Sequence, residues 1–170
     1  MHRDPFHVLF LCRGNSARSI IAEAILARDG EGRFRGFSAG NQPRGEVHPL
    51  TLELLSILGM PTRGLRSKSL QEFAGAGAPA MTAVITLCDD APDESSPGLP
   101  GSPVSARWAI PDPTAFAWDD SAARAAFLDV YLALQARIAR LLALPFDELD
   151  RESLRAKIEE IGRLPGRPTA

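Results

Sequence analysis

Two cysteines, three histidines and no extended apolar run are what this 170-residue chain makes do with. Two thiols are too few for a disulfide framework, so Cys12 and Cys88 each need a reason of their own. The histidines, His2, His7 and His48, are scattered and show no zinc-type spacing to either cysteine, so no metal site is expected. No segment approaches the roughly 18 apolar residues of a membrane span. The N-terminal MHRDPFHVLFL lacks both a long apolar segment and a small-residue cleavage site. The expectation is a cytoplasmic protein with no membrane partner. Nineteen basic side chains against 21 acidic ones give a formal net charge of −2, without the broad basic surface that nucleic-acid binding needs. At 45% hydrophobic, the chain has enough apolar material for one domain with a core of its own.

What is present alternates between strand and helix patterns. His7 to Leu11 reads HVLFL, a short run of strand formers, and Ser19 to Arg28 puts Ile20, Ile21, Ala24 and Ile25 on one helical face. Arg33 to Phe37 reads as a second strand leading into SAG, and Pro49 to Leu58 as a helix stopped by Gly59. A short helical piece around Leu70 to Phe73 precedes Met81 to Leu87, MTAVITL, a buried strand that ends at Cys88. Asp89 to Pro103 is a long surface loop rich in Pro, Gly, Ser and acids. Ser105 to Ile110 reads as a fourth strand, and Ala122 to Leu142 as a helix through Phe127, Val130, Leu134, Ile138 and Leu141. Leu149 to Leu164 reads as a last amphipathic helix. Such alternation implies a three-layer α/β fold, a four-stranded parallel sheet with helices on both faces, and ligands at the carboxyl ends of its strands. Cys12, Cys88 and the loop after Ile110 all fall at such ends. We expect residues 1–146 to form the domain and 147–170 a helical extension of it.

Residues 12–18, CRGNSAR, join the first strand directly to a helix N-terminus, where backbone N–H groups lack helical partners and the macrodipole is positive. That junction is an anion site by construction. Gly14 and Asn15 accept left-handed backbone angles, so the loop can curl and point successive N–H groups inward around a tetrahedral oxyanion. Arg18 can add a planar, two-pronged contact. The same field favours a thiolate at Cys12, making it a nucleophile facing the bound anion. The blander reading of Cys12 is a small core residue at a strand end.

The stretch LFLCRGNSARSIIAEAIL resembles the signature of the low-molecular-weight tyrosine phosphatase superfamily, C-x5-R followed by serine, and is most similar to its arsenate reductase branch. The likeness continues through FSAG at Phe37 to Gly40, VHP at Val47 to Pro49, SKSL at Ser67 to Leu70, VITLCD at Val84 to Asp89 and RWAIPDP at Arg107 to Pro113. The fold implied is flavodoxin-like. By this resemblance Cys12 is the nucleophile and Arg13, Gly14, Asn15, Ser16, Ala17, Arg18 and Ser19 form the oxyanion-binding loop. Arg18 is then the clamp, Asn15 the holder of the loop's unusual backbone and Ser19 a hydroxyl donor to the thiolate.

Attack on phosphate or arsenate needs an acid for the departing oxygen, and Asp112 in PDP is the family's candidate, although Asp before Pro is also an ordinary turn former. Reduction of As(V) to As(III) needs two electrons from thiols, which a phosphatase does not. The resemblance to thioredoxin-coupled reductases implies that Cys88 attacks the Cys12 adduct and leaves a Cys12–Cys88 disulfide. Its alternative is a buried strand-end cysteine. Those reductases carry a third cysteine just before a proline, where this chain has Ser96 before Pro97. An external thiol, from glutaredoxin, thioredoxin or a small molecule, would then have to open the disulfide directly, with no tightly bound cofactor.

The leading expectation is therefore an arsenate reductase acting on an arsenate or phosphate oxyanion. A phosphatase working through a Cys12 phosphoryl-enzyme is the runner-up, and a non-catalytic oxyanion-binding or redox-sensing module the third reading. Trp108 and Trp118 are read as packing against the last long helix, and His48 as a helix-start or surface residue. Glu23 and Ser38 match positions that in some related reductases hold a potassium ion near the loop and Asn15. Their plainer reading is a solvated helix acid and a turn hydroxyl.

Overall fold

The structure is a computed structural model and describes residues 4–88, 99–116 and 120–164. Four strands, β1 (Phe6–Cys12), β2 (Phe34–Gly40), β3 (Ala83–Thr86) and β4 (Val104–Arg107), make one sheet in the order β2-β1-β3-β4, all neighbours parallel. The α-helices are α1 (Arg18–Asp29), α2 (Pro49–Ile57), α3 (Asp120–Leu142) and α4 (Arg151–Ile161). This is the four-stranded parallel α/β sheet the alternating pattern implied. The strands expected at Met81 to Leu87 and Ser105 to Ile110 are shorter, Ala83–Thr86 and Val104–Arg107, although Leu87, Trp108 and Ile110 still make backbone bonds to neighbouring segments beyond those ends.

Strand β1 lies in the middle of the sheet, which is why it reads as a continuous apolar run rather than an alternating one. Its side chains part to the two faces with period two. Val8, Phe10 and Cys12 join Ala83, Ile85, Val104 and Ala106 in a large cluster. That cluster also takes Ile20, Ile21 and Ile25 of α1, Leu55 of α2, Phe127, Leu134 and Ile138 of α3, and Leu154, Ile158 and Ile161 of α4. Leu9, Leu11, Val84, Phe73 and Met81 form a smaller cluster on the opposite face, covered by the helical turn Leu70–Phe73.

Helix α4 is tied to the end of β4. The Trp108 indole N–H donates to the Ile158 carbonyl at 2.8 Å, and Arg107 N–H to the Glu159 carboxylate at 2.9 Å. Trp108 is fully buried, so its indole N–H needs that carbonyl, and its polar tip is anchored by α4 rather than by α3. Trp118, Ser96 and Pro97 lie outside the described residues.

Candidate active site

Strand β1 delivers Cys12 to the carboxyl edge of the sheet and α1 begins at Arg18, so residues 13–17 must turn the chain within five positions. Asn15 makes the turn, with φ of 44°. Asparagine tolerates this left-handed angle better than most residues because its side chain can bond locally. Gly14, expected to share the left-handed angle, does not adopt it. Its missing Cβ serves a different purpose: one placed there would stand 3.0 Å from Arg44 Nε. Gly40, at the end of β2, is more constrained still, since a Cβ would meet the Arg13 carbonyl at 2.5 Å.

The loop's carbonyls are held from behind. Gln42 N–H donates to Arg13 O, Arg44 N–H to Gly14 O and His48 N–H to Ser16 O, each at 3.0 Å. Ser67 Oγ adds a bond to Gly14 O at 3.1 Å, and the buried Thr51 Oγ one to Ser16 O at 2.9 Å. Because peptides are planar and trans, turning these carbonyls outward turns the N–H groups of Gly14, Asn15 and Ala17 the opposite way. The first turn of α1 has no acidic residue and Ala17 offers no side-chain cap. N–H groups turned inward at the positive end of a helix suit an anion.

A chain of hydrogen bonds with a defined direction reaches the sulfur. Lys68 N–H donates to Asn15 Oδ1 at 2.9 Å, so the Asn15 amide nitrogen is the atom that donates to Ser19 Oγ, at 2.7 Å. With one lone pair of Ser19 taken, its single proton is available to Cys12 Sγ, 2.8 Å away, and Ser19 is necessarily the donor when the sulfur is a thiolate. Asn15 and Ser19 are fully buried and Cys12 is 5% exposed, so water cannot replace these bonds.

Arg18 is buried beside the sulfur's loop, with Nη1 donating to Ile110 O at 2.9 Å and Nη2 3.7 Å from Asp112 Oδ2. Asp112 divides its oxygens. Oδ1 accepts from Thr114 N–H at 2.9 Å and Thr114 Oγ at 2.7 Å, while Oδ2 faces Arg18. The turn-former reading is met by Oδ1, and Oδ2 is left facing Arg18 and the cavity. Burial pulls this carboxyl upward, but the Thr114 bonds and the charges of Arg18 and Arg44 outweigh it and hold it below the ordinary aspartate value. The cavity enclosed by Cys12, Arg18, Gln42, Arg44 and Asp112 measures about 300 Å³. A thiol, a guanidinium, inward amides and a carboxyl around one cavity are the groups that attack at the central atom of a tetrahedral oxyanion would require.

A model of low molecular weight phosphotyrosine protein phosphatase matches residues 7–156. The chain belongs to that family. The arsenate reductase of Staphylococcus aureus strain Newman is 31% identical over 117 residues, 66% of this chain and 82% of that one. The thioredoxin-dependent arsenate reductase of Corynebacterium glutamicum superposes with a TM-score of 0.57 at 26% identity over 83% of this chain. This chain spans 62% of that protein's length. An arginine phosphatase from Geobacillus stearothermophilus shares the fold, with a TM-score of 0.56 at 21% identity over 79% of this chain and 91% of that one.

In this member of the phosphatase family the second cysteine stands on the same rim as the first. Leu87 N–H donates to Leu11 O at 2.7 Å, so β3 rises beside β1 and Cys88 follows one residue above that bond. Both thiols are buried in the large apolar cluster, and Arg107 Nε holds the Cys88 carbonyl at 3.1 Å. The potassium question that the resemblance left open at Glu23 and Ser38 meets a lysine here. Lys68 Nζ stands 3.4 Å from Glu23 Oε1, 3.3 Å from Ser38 Oγ and 3.0 Å from the Arg66 carbonyl, so these oxygens already hold a cation belonging to the chain. Among the described residues no group of His, Cys, Asp and Glu forms a metal site. No helix among them is long and apolar enough to cross a membrane.

His48 caps α2 by accepting from Leu50 N–H at 3.1 Å, and its ring packs against Phe127 with centroids 5.0 Å apart. The functional neighbours that sequence reasoning missed are Arg44, Thr51, Thr114 and Lys68. Thr114 had a signal, because a threonine two positions after an Asp is the pattern of a side-chain turn. Lys68 lay inside the SKSL motif without a role assigned to it, and Arg44 and Thr51 had no signal, since each reaches the site only through chain folding.

Proposed function

We propose that this protein is an arsenate reductase. The observation that carries the reading is Cys88, a second buried thiol two residues beyond the strand that pairs with the Cys12 strand. The Cys12 thiolate attacks As(V) of the bound arsenate, an S–As bond forms, and an arsenate oxygen leaves as water after taking protons, one of them passed by Asp112, which receives it from the entering protonated oxyanion. Arg18 and the loop amides stabilise the charge on the remaining oxygens. The Cys88 thiolate then attacks Cys12 Sγ, the S–As electron pair stays on arsenic, and As(III) leaves as arsenite. The two thiols have lost two electrons and hold a disulfide. An external thiol reductant, whether thioredoxin, glutaredoxin or a small thiol, returns the pair to thiols by exchange.

The relatives support this reading, since the Staphylococcus aureus and Corynebacterium glutamicum proteins are both arsenate reductases. The decisive experiment is intact-mass measurement after arsenate treatment, in which the native chain loses two hydrogens and Cys88→Ser does not. Arsenate-dependent thiol consumption that survives Cys88→Ser unchanged overturns the mechanism.

A second reading, phosphomonoester hydrolysis through a Cys12 phosphoryl-enzyme, is favoured by the cysteine count. With two cysteines in the whole sequence, the chain has no third thiol to carry a disulfide outward. This reading stands if the native protein consumes no thiol with arsenate and Cys88→Ser leaves phosphomonoester turnover intact.

A further inference from the structure

Lys68 lines no wall of the oxyanion cavity, yet it is built into the loop's support at both ends of the residue. Its backbone N–H holds Asn15 Oδ1 at 2.9 Å, and its carbonyl accepts from Gly40 N–H at 3.0 Å. Its side chain is 8% exposed and runs between α1 and β2. An ammonium has three N–H donors. Here they meet three oxygens, those of Glu23, Ser38 and Arg66, while Ser38 Oγ donates its own proton to Glu23 Oε1 at 2.9 Å. Every proton in this cage thus has an acceptor. Removing the ammonium would leave the Glu23 carboxylate, whose side chain is 17% exposed, without its cation.

We propose that the Lys68 ammonium is the loop's resident monovalent cation. It is a positioning residue that keeps Asn15 in its left-handed turn and frees the site from any need for an alkali cation. The backbone and side chain of one residue are coupled. Drawing Nζ into the Glu23 cage places the Lys68 N–H under Asn15 Oδ1, which aims the Asn15 amide at Ser19 and the Ser19 proton at Cys12. The inference concerns the anion-holding loop, which either reaction would use, so it stands or falls separately from the reductase reading.

The test compares the native protein with Lys68→Ala and Lys68→Met in choline, sodium, potassium and ammonium chloride at equal ionic strength. The readouts are thermal melting and the inorganic phosphate concentration that protects Cys12 from iodoacetamide. The native protein should behave alike in all four salts. Lys68→Ala should lose about ten- to a hundredfold in phosphate affinity in choline, the range typical for removing a group that orients a site's ligands. It should recover several-fold in potassium or ammonium, which fit the vacated cage, with a matching rise in melting temperature. Lys68→Met fills the cage with a methyl group and should be impaired in every salt. Native protein that responds to potassium as strongly as Lys68→Ala overturns the proposal, as does a folded Lys68→Ala that no cation rescues. If Lys68→Ala does not fold in any salt, Lys68→Met with Glu23→Gln removes the unpaired carboxylate and decides the matter. Weak phosphate binding in that folded double variant supports the role of the cation, and native affinity refutes it.

Discussion

Replacing Asn15 by aspartate isolates the direction of the hydrogen-bond chain from its mere presence. Aspartate keeps the shape of asparagine and can still accept from Lys68 N–H, which stands 2.9 Å from the native Oδ1. Its second oxygen, however, faces Ser19 Oγ at 2.7 Å as an acceptor where a donor stood. The Ser19 proton then turns toward the new carboxylate and away from Cys12 Sγ at 2.8 Å. The thiolate loses one hydrogen bond to a charged atom, worth about 1.5–3 kcal/mol. At about 1.4 kcal/mol per factor of ten, that is about a ten- to hundredfold loss. Water does not restore the bond, because Asn15 and Ser19 are fully buried. The assay is the rate of Cys12 alkylation by iodoacetamide at pH 6 in a Cys88→Ser background, beside turnover of an aryl phosphate. The added negative charge would slow alkylation by itself, so the cycle is completed with Ser19→Ala. If the relay runs through Ser19, much of the Asn15→Asp effect disappears in the Ser19→Ala background. Full additivity, or a folded Asn15→Asp protein that reacts at the native rate, refutes the proton direction argued here.

Asp112→Asn should separate binding from chemistry. The native carboxyl is held below its ordinary value, so at neutral pH the empty site carries an anion facing Arg18, which opposes an incoming oxyanion. The amide removes that opposition and the proton donor together. Phosphate affinity should hold or improve while turnover falls about a hundred- to ten-thousandfold, the usual range for a general acid, and equal losses in both would contradict this. His48 gives a pH signature in stability. Burial first, then the charge of Arg44, lowers it from 6.5, with Asp112 acting weakly the other way. Its neutral Nδ1 accepts the α2 cap bond, so the unfolded chain binds the proton more readily. The contribution is complete above pH 6.5 and is lost as pH falls through the lowered value. Melting temperature should therefore drop more between pH 7 and 5 in the native protein than in His48→Asn, which still caps but does not titrate there. Parallel curves would remove His48 from the account.

The run HVLFL, the periodic faces of α1 and α3, and the CRGNSAR junction between strand and helix are local patterns, and local patterns are what a sequence displays. Hydrophobic period reports which faces are buried, and a parallel sheet brings its carboxyl ends to one rim wherever the connections alternate. From these followed the fold, the place of Cys12 and Arg18, and the arrival of Cys88 and Asp112 on the same side. Strand ends were less legible, since where the regular ladder of β3 and β4 gives way at Thr86 and Arg107 depends on the neighbouring strand as well, a fact belonging to two segments of the chain at once.

By itself, then, the sequence determined that a cysteine would stand at a helix N-terminus inside an anion-binding turn, because strand, glycine, asparagine and helix are adjacent along the chain. Only the tertiary structure decided how that turn is held. Gly14 yields to the Arg44 side chain, Gly40 to the Arg13 carbonyl, and the Glu23 and Ser38 oxygens close around Lys68 rather than around a free ion. The physical reason is range: backbone angle and helix dipole act within a turn, whereas a buried charge takes its partner from whatever segment the fold places beside it, here 45 residues away.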